Sequence, residues 1–149
     1  EKVNHILQLD SSDGFFVTVF YAIVELNSGK VTYCIAGHNP PYWLRREHGE
    51  VQPLNKAGIA LGMMDPISLK DQELVLIHGD GLVLYTDGIT ETFSPEGEAF
   101  GEVRLRARLE SLLGETARGI IEGIGLTLND FRAGSALDDD YTLLVIRRE

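Results

Sequence analysis

Three clusters of side chains in this sequence are suited to chemistry. Asp87 follows the apolar run Leu82-Val83-Leu84-Tyr85 directly and is followed by Gly88. A strand aims such a carboxylate rigidly, and a glycine beside it lets a ligand approach closely. Asp-Gly is equally ordinary turn chemistry at the end of a strand. The second cluster, Asp138-Asp139-Asp140, precedes the apolar run from Thr142 to Ile146. Adjacent carboxylates repel one another, and solvent, protonation or a hard divalent cation relieves the repulsion. A solvated charge run before a strand is the alternative. If the two strands lie side by side, Asp87 and Asp139 emerge together as oxygen ligands suited to Mg²⁺ or Mn²⁺. The third cluster is Ala36-Gly37-His38-Asn39-Pro40-Pro41, where prolines stiffen a loop carrying an imidazole and an amide. His38 is a candidate for proton transfer or substrate binding, or a histidine that hydrogen-bonds its own loop.

The elements that must position these groups read as strands first and helices later. Val3, Ile6, Leu7 and Leu9 recur at helical spacing before the turn-rich Asp10-Ser11-Ser12-Asp13-Gly14. Aromatic and β-branched residues from Phe15 to Leu26, then Val31 to Ala36 after Asn27-Ser28-Gly29-Lys30, predict a β-hairpin. Tyr42 to Arg45 and Val51 to Leu54 predict two more strands. After the loop from Ala57 to Gly62, Glu73 to Ile77 and Leu82 to Tyr85 flank His78-Gly79-Asp80-Gly81, which predicts a second hairpin. Val103 to Leu113 and Ile120 to Phe131 carry helical periodicity, the second despite three glycines. The closing run, Thr142 to Ile146, is continuous enough for a central strand. Hairpins followed by helices and a last strand predict an α+β domain with a mainly antiparallel sheet.

Composition narrows the classes. With 149 residues the chain has room for one domain, and 44% hydrophobic with 24% charged residues is ordinary globular usage. Thirteen Lys and Arg against 23 Asp and Glu leave a formal charge of −10, which argues against nucleic-acid binding. The single cysteine, Cys34, cannot form an internal disulfide, and no apolar run reaches the length of a membrane span, so a cytoplasmic, non-membrane protein is the expectation. No cysteine cluster, Walker-type loop or Gly-x-Ser-x-Gly elbow is present. His5, His48 and His78 lack ligand spacing, and Arg104, Arg106 and Arg108 alternate so that a helix spreads them over a solvated surface.

Five segments in order resemble one family: Phe15-Phe16-Val17-Thr18, AGHNPP from Ala36 to Pro41, YTDGITE from Tyr85 to Glu91, GEAFG from Gly97 to Gly101, and DDYTLLVIRR from Asp139 to Arg148. The family is the metal-dependent protein phosphatases (PPM), and within it the bacterial branch of stage II sporulation protein E and the stress-response sigma-regulator phosphatases. The resemblance spans nearly the whole chain. It implies a layered sandwich of mainly antiparallel sheets flanked by helices, in which Asp87 and Asp139 are ligands of a Mn²⁺ or Mg²⁺ centre and Gly88 and Asp140 lie beside them. Two ions would activate a bridging water for direct attack on a phosphoserine or phosphothreonine. His38 and Asn39 match the family's Ala-Gly-His-x-Pro segment, and His38 is carried forward as a candidate site residue. The implied partner is a phosphorylated regulatory protein, an anti-sigma-factor antagonist.

The family's earlier Gly-Asp and Asp-x-Ser-Gly-His-Gly motifs have no counterpart among residues 1–149. The expectation is therefore the later part of a single phosphatase domain, incomplete at its start and lacking one bridging aspartate. Edges exposed by the missing strands would favour a homodimer. Two other readings stand beside the enzyme: a non-catalytic module of the same fold that binds a regulatory partner, and a domain that divalent cations merely stabilise.

Overall fold

In the computed structural model, residues 2–10, 14–55, 58–135 and 139–149 are described. The expected turn at Ser11-Ser12-Asp13, the loop residue Ala57, and Asp138 lie outside them. In chain order the elements are α1 (Lys2–Asp10), β1 (Val19–Val24), β2 (Lys30–Ala36), β3 (Tyr42–Arg45), β4 (Glu50–Pro53), β5 (Gln72–Val75), β6 (Gly81–Tyr85), α2 (Asp87–Thr90), α3 (Gly101–Ser111), α4 (Ala117–Phe131) and β7 (Leu143–Arg147). They fall into two compact units: Glu1–Pro40 with Asn55–Leu76, and Pro41–Leu54 with Ile77–Glu149. Every strand pair in both is antiparallel, as the α+β reading requires.

In the first unit β2 is the middle strand of the order β1-β2-β5. Val31, Tyr33 and Ile35 are buried and alternate with half-buried Thr32 and Cys34, the period of a strand with one face on a core. The β1–β2 hairpin forms as expected, from Val19 opposite Ala36 to Val24 opposite Val31. It starts later than the aromatic run suggests. Val17 instead exchanges both backbone hydrogen bonds with Leu61 at 2.9 Å, because the loop before Gly62 supplies the partner for that stretch. Asn4 of α1 is fully buried and satisfied: its amide donates to the Met64 carbonyl at 2.9 Å, and its oxygen accepts from the Gly62 amide at 2.9 Å.

The expected second hairpin does not form. β5 pairs with β2 in the first unit, whereas β6 pairs with β3 and β7 in the second. The segment between them is a turn held by Asp80, which is buried and accepts hydrogen bonds from Trp43 Nε1 and from the amides of Arg46 and Ile77. Gly79 donates to the Arg148 carbonyl at 2.7 Å. A polar Gly-rich turn between two apolar runs looks alike whether the strands pair with each other or with others.

The second unit has the strand order β4-β3-β6-β7. β6, buried along most of its length, is an inner strand. β7 is the outer strand among the described residues, with Leu144 half exposed, which corrects the expectation of a central position. Its apolar content serves packing on α4 rather than burial on both faces. Leu105 and Leu109 of α3, and Ile120, Ile124 and Leu128 of α4, lie at helical spacing and join Leu44, Val51, Val83, Tyr85, Ile89, Phe100 and Val145 in one core. The Tyr42 and Tyr85 rings stack within it at 5.7 Å.

The glycines of α4 differ in what replaces them. A Cβ at Gly123 would stand 2.8 Å from a Leu112 methyl, so the Leu112 side chain would have to shift within the core, while a Cβ at Gly125 meets nothing within 4 Å. Gly125→Ala should therefore stabilise the unit by about 0.4–1 kcal/mol in denaturant unfolding. Gly123→Ala should lower stability by about 1–3 kcal/mol through overpacking.

Candidate functional site

Asp87 directly follows β6 and the Asp139-Asp140 pair lies just before β7, at the same end of the antiparallel β6–β7 ladder. The ladder runs from Gly81 opposite Arg147 to Tyr85 opposite Leu143. One step beyond it, the Thr86 amide donates to the Thr142 carbonyl at 3.1 Å, and the Thr86 hydroxyl oxygen accepts from the Thr142 amide at 2.9 Å. The side chain thus takes over where the backbone of β6 turns away into α2. Thr86 was not singled out in the sequence, because its hydroxyl serves a residue 56 positions away and no local pattern marks that contact.

The turn of α2 is fixed from below. Ile89 is fully buried in the core, and the Thr92 hydroxyl donates to the Gly88 carbonyl at 2.7 Å. The Phe100 amide then donates to the Thr92 carbonyl at 2.8 Å, and Phe93 bridges to Ala99. Phe100 is itself buried, edge-on to Phe131 at 5.2 Å. The YTDGITE and GEAFG segments are therefore one support, which holds Asp87 at the end of a rigid strand.

Gly88 decides how closely the two acidic segments approach. A Cβ there would stand 2.5 Å from the Asp140 carbonyl oxygen and 3.2 Å from Tyr141 Cβ. The Thr86–Thr142 pair ties the two backbones together two residues away. Asp87 and Asp139 are exposed, and each turns one carboxylate oxygen onto the next amide: Gly88 N to Asp87 Oδ1 at 3.1 Å, and Asp140 N to Asp139 Oδ1 at 2.8 Å. Each bond engages one of the two carboxylate oxygens and leaves the other toward solvent.

The donor set fits a hard divalent cation. Mg²⁺ and Mn²⁺ take carboxylate oxygens and commonly use one or two protein carboxylates with water completing the sphere. Among the described residues no three His, Cys, Asp or Glu side chains converge on a metal-sized point.

His38 belongs to the first unit, whereas Asp87 and Asp139 belong to the second. Its Nδ1 lies 2.7 Å from the carbonyl oxygen of Asn39, so Nδ1 carries the proton and donates, and its ring tilts against Phe20 at 6.5 Å. The preceding Gly37 has φ +70°, and a Cβ there would stand 2.7 Å from the Ala60 amide. The glycine thus allows the loop to press against its neighbour. Arg104, Arg106 and Arg108 are spread as the helical reading requires: Arg104 pairs with Glu98, Arg106 with Glu110, and Arg108 bonds Ser111. No described helix is long and apolar enough to cross a membrane.

The model of the family Stage II sporulation protein E (SpoIIE) matches residues 1–149. The phosphoserine phosphatase RsbU of Bacillus subtilis is 28% identical over 152 residues, a match covering the whole of this chain and 44% of RsbU. The chain thus spans less than half the length of that relative. The phosphatase domain of SpoIIE from Bacillus subtilis, presoaked with Mn, superposes with a TM-score of 0.72 at 20% identity, over 98% of this chain and 63% of that one. The RsbU and RsbW domains of Rv1364c from Mycobacterium tuberculosis give a TM-score of 0.66 at 26% identity, over 88% of this chain and 36% of theirs. Fold, motif order and family match agree: the chain belongs to the stage II sporulation protein E family, in the RsbU-like branch of the metal-dependent protein phosphatases.

Proposed function

We propose that the parent protein hydrolyses phosphoserine or phosphothreonine on a cytoplasmic regulatory protein of the anti-sigma-factor-antagonist kind. The observation that supports this reading is that Asp87 and Asp139-Asp140 flank the same end of the β6–β7 ladder, with Gly88 close against the Asp140 carbonyl. The relation to a phosphoserine phosphatase and the Mn-presoaked SpoIIE domain support it. Asp87 and Asp139 would hold Mn²⁺ or Mg²⁺, with Asp140 adjacent. When bound, two such ions supply an activated water and stabilise charge on the attacking and leaving oxygens. The chain's own part is positional. The Thr86–Thr142 pair and buried Ile89 fix where Asp87 points, and the amides of Gly88 and Asp140 hold one oxygen of each carboxylate. Near-attack geometry depends on such rigidity.

The test is phosphoserine-peptide hydrolysis with and without Mn²⁺, on this chain and on a form extended at its start to a complete domain. Mn²⁺-dependent phosphate release by the extended form supports the enzyme. A second reading is a non-catalytic module of the same fold that binds a phosphorylated partner. A folded extended form that binds phosphopeptide for hours without releasing phosphate would establish that module and exclude the enzyme.

A further inference from the structure

Gly88 adjoins both acidic segments. Its amide donates to Asp87 Oδ1 at 3.1 Å, and its backbone lies so near the Asp140 carbonyl that an added Cβ would stand 2.5 Å from that oxygen. The close approach demands glycine, yet glycine is the residue whose backbone turns most freely. A group outside residue 88 must therefore fix the direction of its peptide planes.

Thr92 supplies that group. The four-residue α2 closes with the Glu91 amide donating to the Asp87 carbonyl at 2.8 Å, and the Thr90 hydroxyl donates to the same carbonyl at 3.1 Å. The next carbonyl, that of buried Gly88, accepts from the Thr92 hydroxyl at 2.7 Å, where a continuing helix would use the backbone amide of residue 92. Thr92 is 5% exposed, and its own carbonyl accepts from the amide of Phe100, a core residue, at 2.8 Å. Two hydrogen bonds thus connect the buried Thr92 hydroxyl to the exposed Asp87 carboxylate by way of Gly88. Without the hydroxyl, the Gly88 carbonyl would be a buried acceptor with no donor, a costly state that rotation of the peptide relieves. That rotation would move Gly88 against Asp140.

We infer that Thr92 is a positioning residue of the acidic site: through the Gly88 carbonyl it fixes the placement of Asp87 relative to Asp139-Asp140. The inference rests on the reading of Asp87 and Asp139 as ligands of a divalent cation. Under that reading the hydroxyl sets cation affinity and turnover, and has little influence on the binding of the phosphorylated substrate.

In the form extended to a complete domain, Thr92→Val removes the hydroxyl at nearly constant volume. Calorimetric Mn²⁺ titration should show an affinity at least about tenfold below the parent's, the lower end of the range for groups that orient a metal ligand. At saturating Mn²⁺, kcat for a phosphoserine peptide should fall by about tenfold or more while KM stays within about twofold. Thr92→Ser loses a methyl group but keeps the donor, and should stay within about threefold of the parent in both. Gly123→Ala gives the comparison for a purely structural loss, because it disturbs packing on Leu112: its melting temperature should fall with Mn²⁺ affinity unchanged. If Thr92→Val does not fold, Thr92→Ala carries the same expectation. Parent-like Mn²⁺ affinity and kcat in the folded variant, or equal losses in Thr92→Val and Thr92→Ser, would overturn the role. A parent that binds no Mn²⁺ would instead remove the metal-ligand reading, and this inference with it.

Discussion

Asp87→Asn or Asp139→Asn, made in a form extended to a complete domain, is expected to lower Mn²⁺-dependent hydrolysis of a phosphoserine peptide by more than about 100-fold, beyond the 10–100-fold typical of a merely supporting partner. Asparagine keeps the side-chain size and an oxygen that can accept from the following amide, so the Gly88 N to Asp87 Oδ1 and Asp140 N to Asp139 Oδ1 contacts can persist. What disappears is the charge. Both carboxylates are exposed, so their neutralisation should cost the fold little, and melting curves should stay close to the parent. Calorimetric Mn²⁺ titration provides the second readout, with weakened binding expected in each variant. Full activity in both would remove these residues from the site.

Gly88→Ala should have the next largest effect, and it acts through geometry alone. The added carbon would meet the Asp140 carbonyl oxygen at 2.5 Å and its carbonyl carbon at 3.1 Å. Relief requires the chain around Asp140 to move away from α2. The buried Ile89 and the Thr92-to-Gly88 hydrogen bond hold the α2 side in place. The expected cost is about 1–3 kcal/mol in denaturant unfolding, the range for overpacking a tight contact. Activity in the extended form should fall further than the unfolded fraction explains, because the two acidic segments separate. Gly125→Ala is the control, since it adds the same methyl group where nothing lies within 4 Å. Parent-like melting and turnover in Gly88→Ala would mean that the close approach is dispensable.

Much of this molecule was legible in its sequence, because the legible part is local. Helical spacing marks α1, α3 and α4; aromatic and β-branched runs mark β1 to β3 and β6; and the positions of Asp87 and Asp139 at strand ends follow from the turn residues beside them. The order of the five motifs identified the family from types and spacing alone, and the match over residues 1–149 agrees. Beyond the β1–β2 hairpin, only the tertiary structure decided which strands meet. Apolar periodicity states which face of a strand is buried, but the backbone groups of any strand can pair with those of any other. Thus β5 joins β2 instead of β6, and β7 takes the outer place beside β6. That last pairing brings Thr86 to Thr142 and Gly88 against Asp140, residues more than fifty positions apart in the chain. The acidic residues were visible in the sequence, but their meeting was not, because it depends on long-range register that no local pattern encodes.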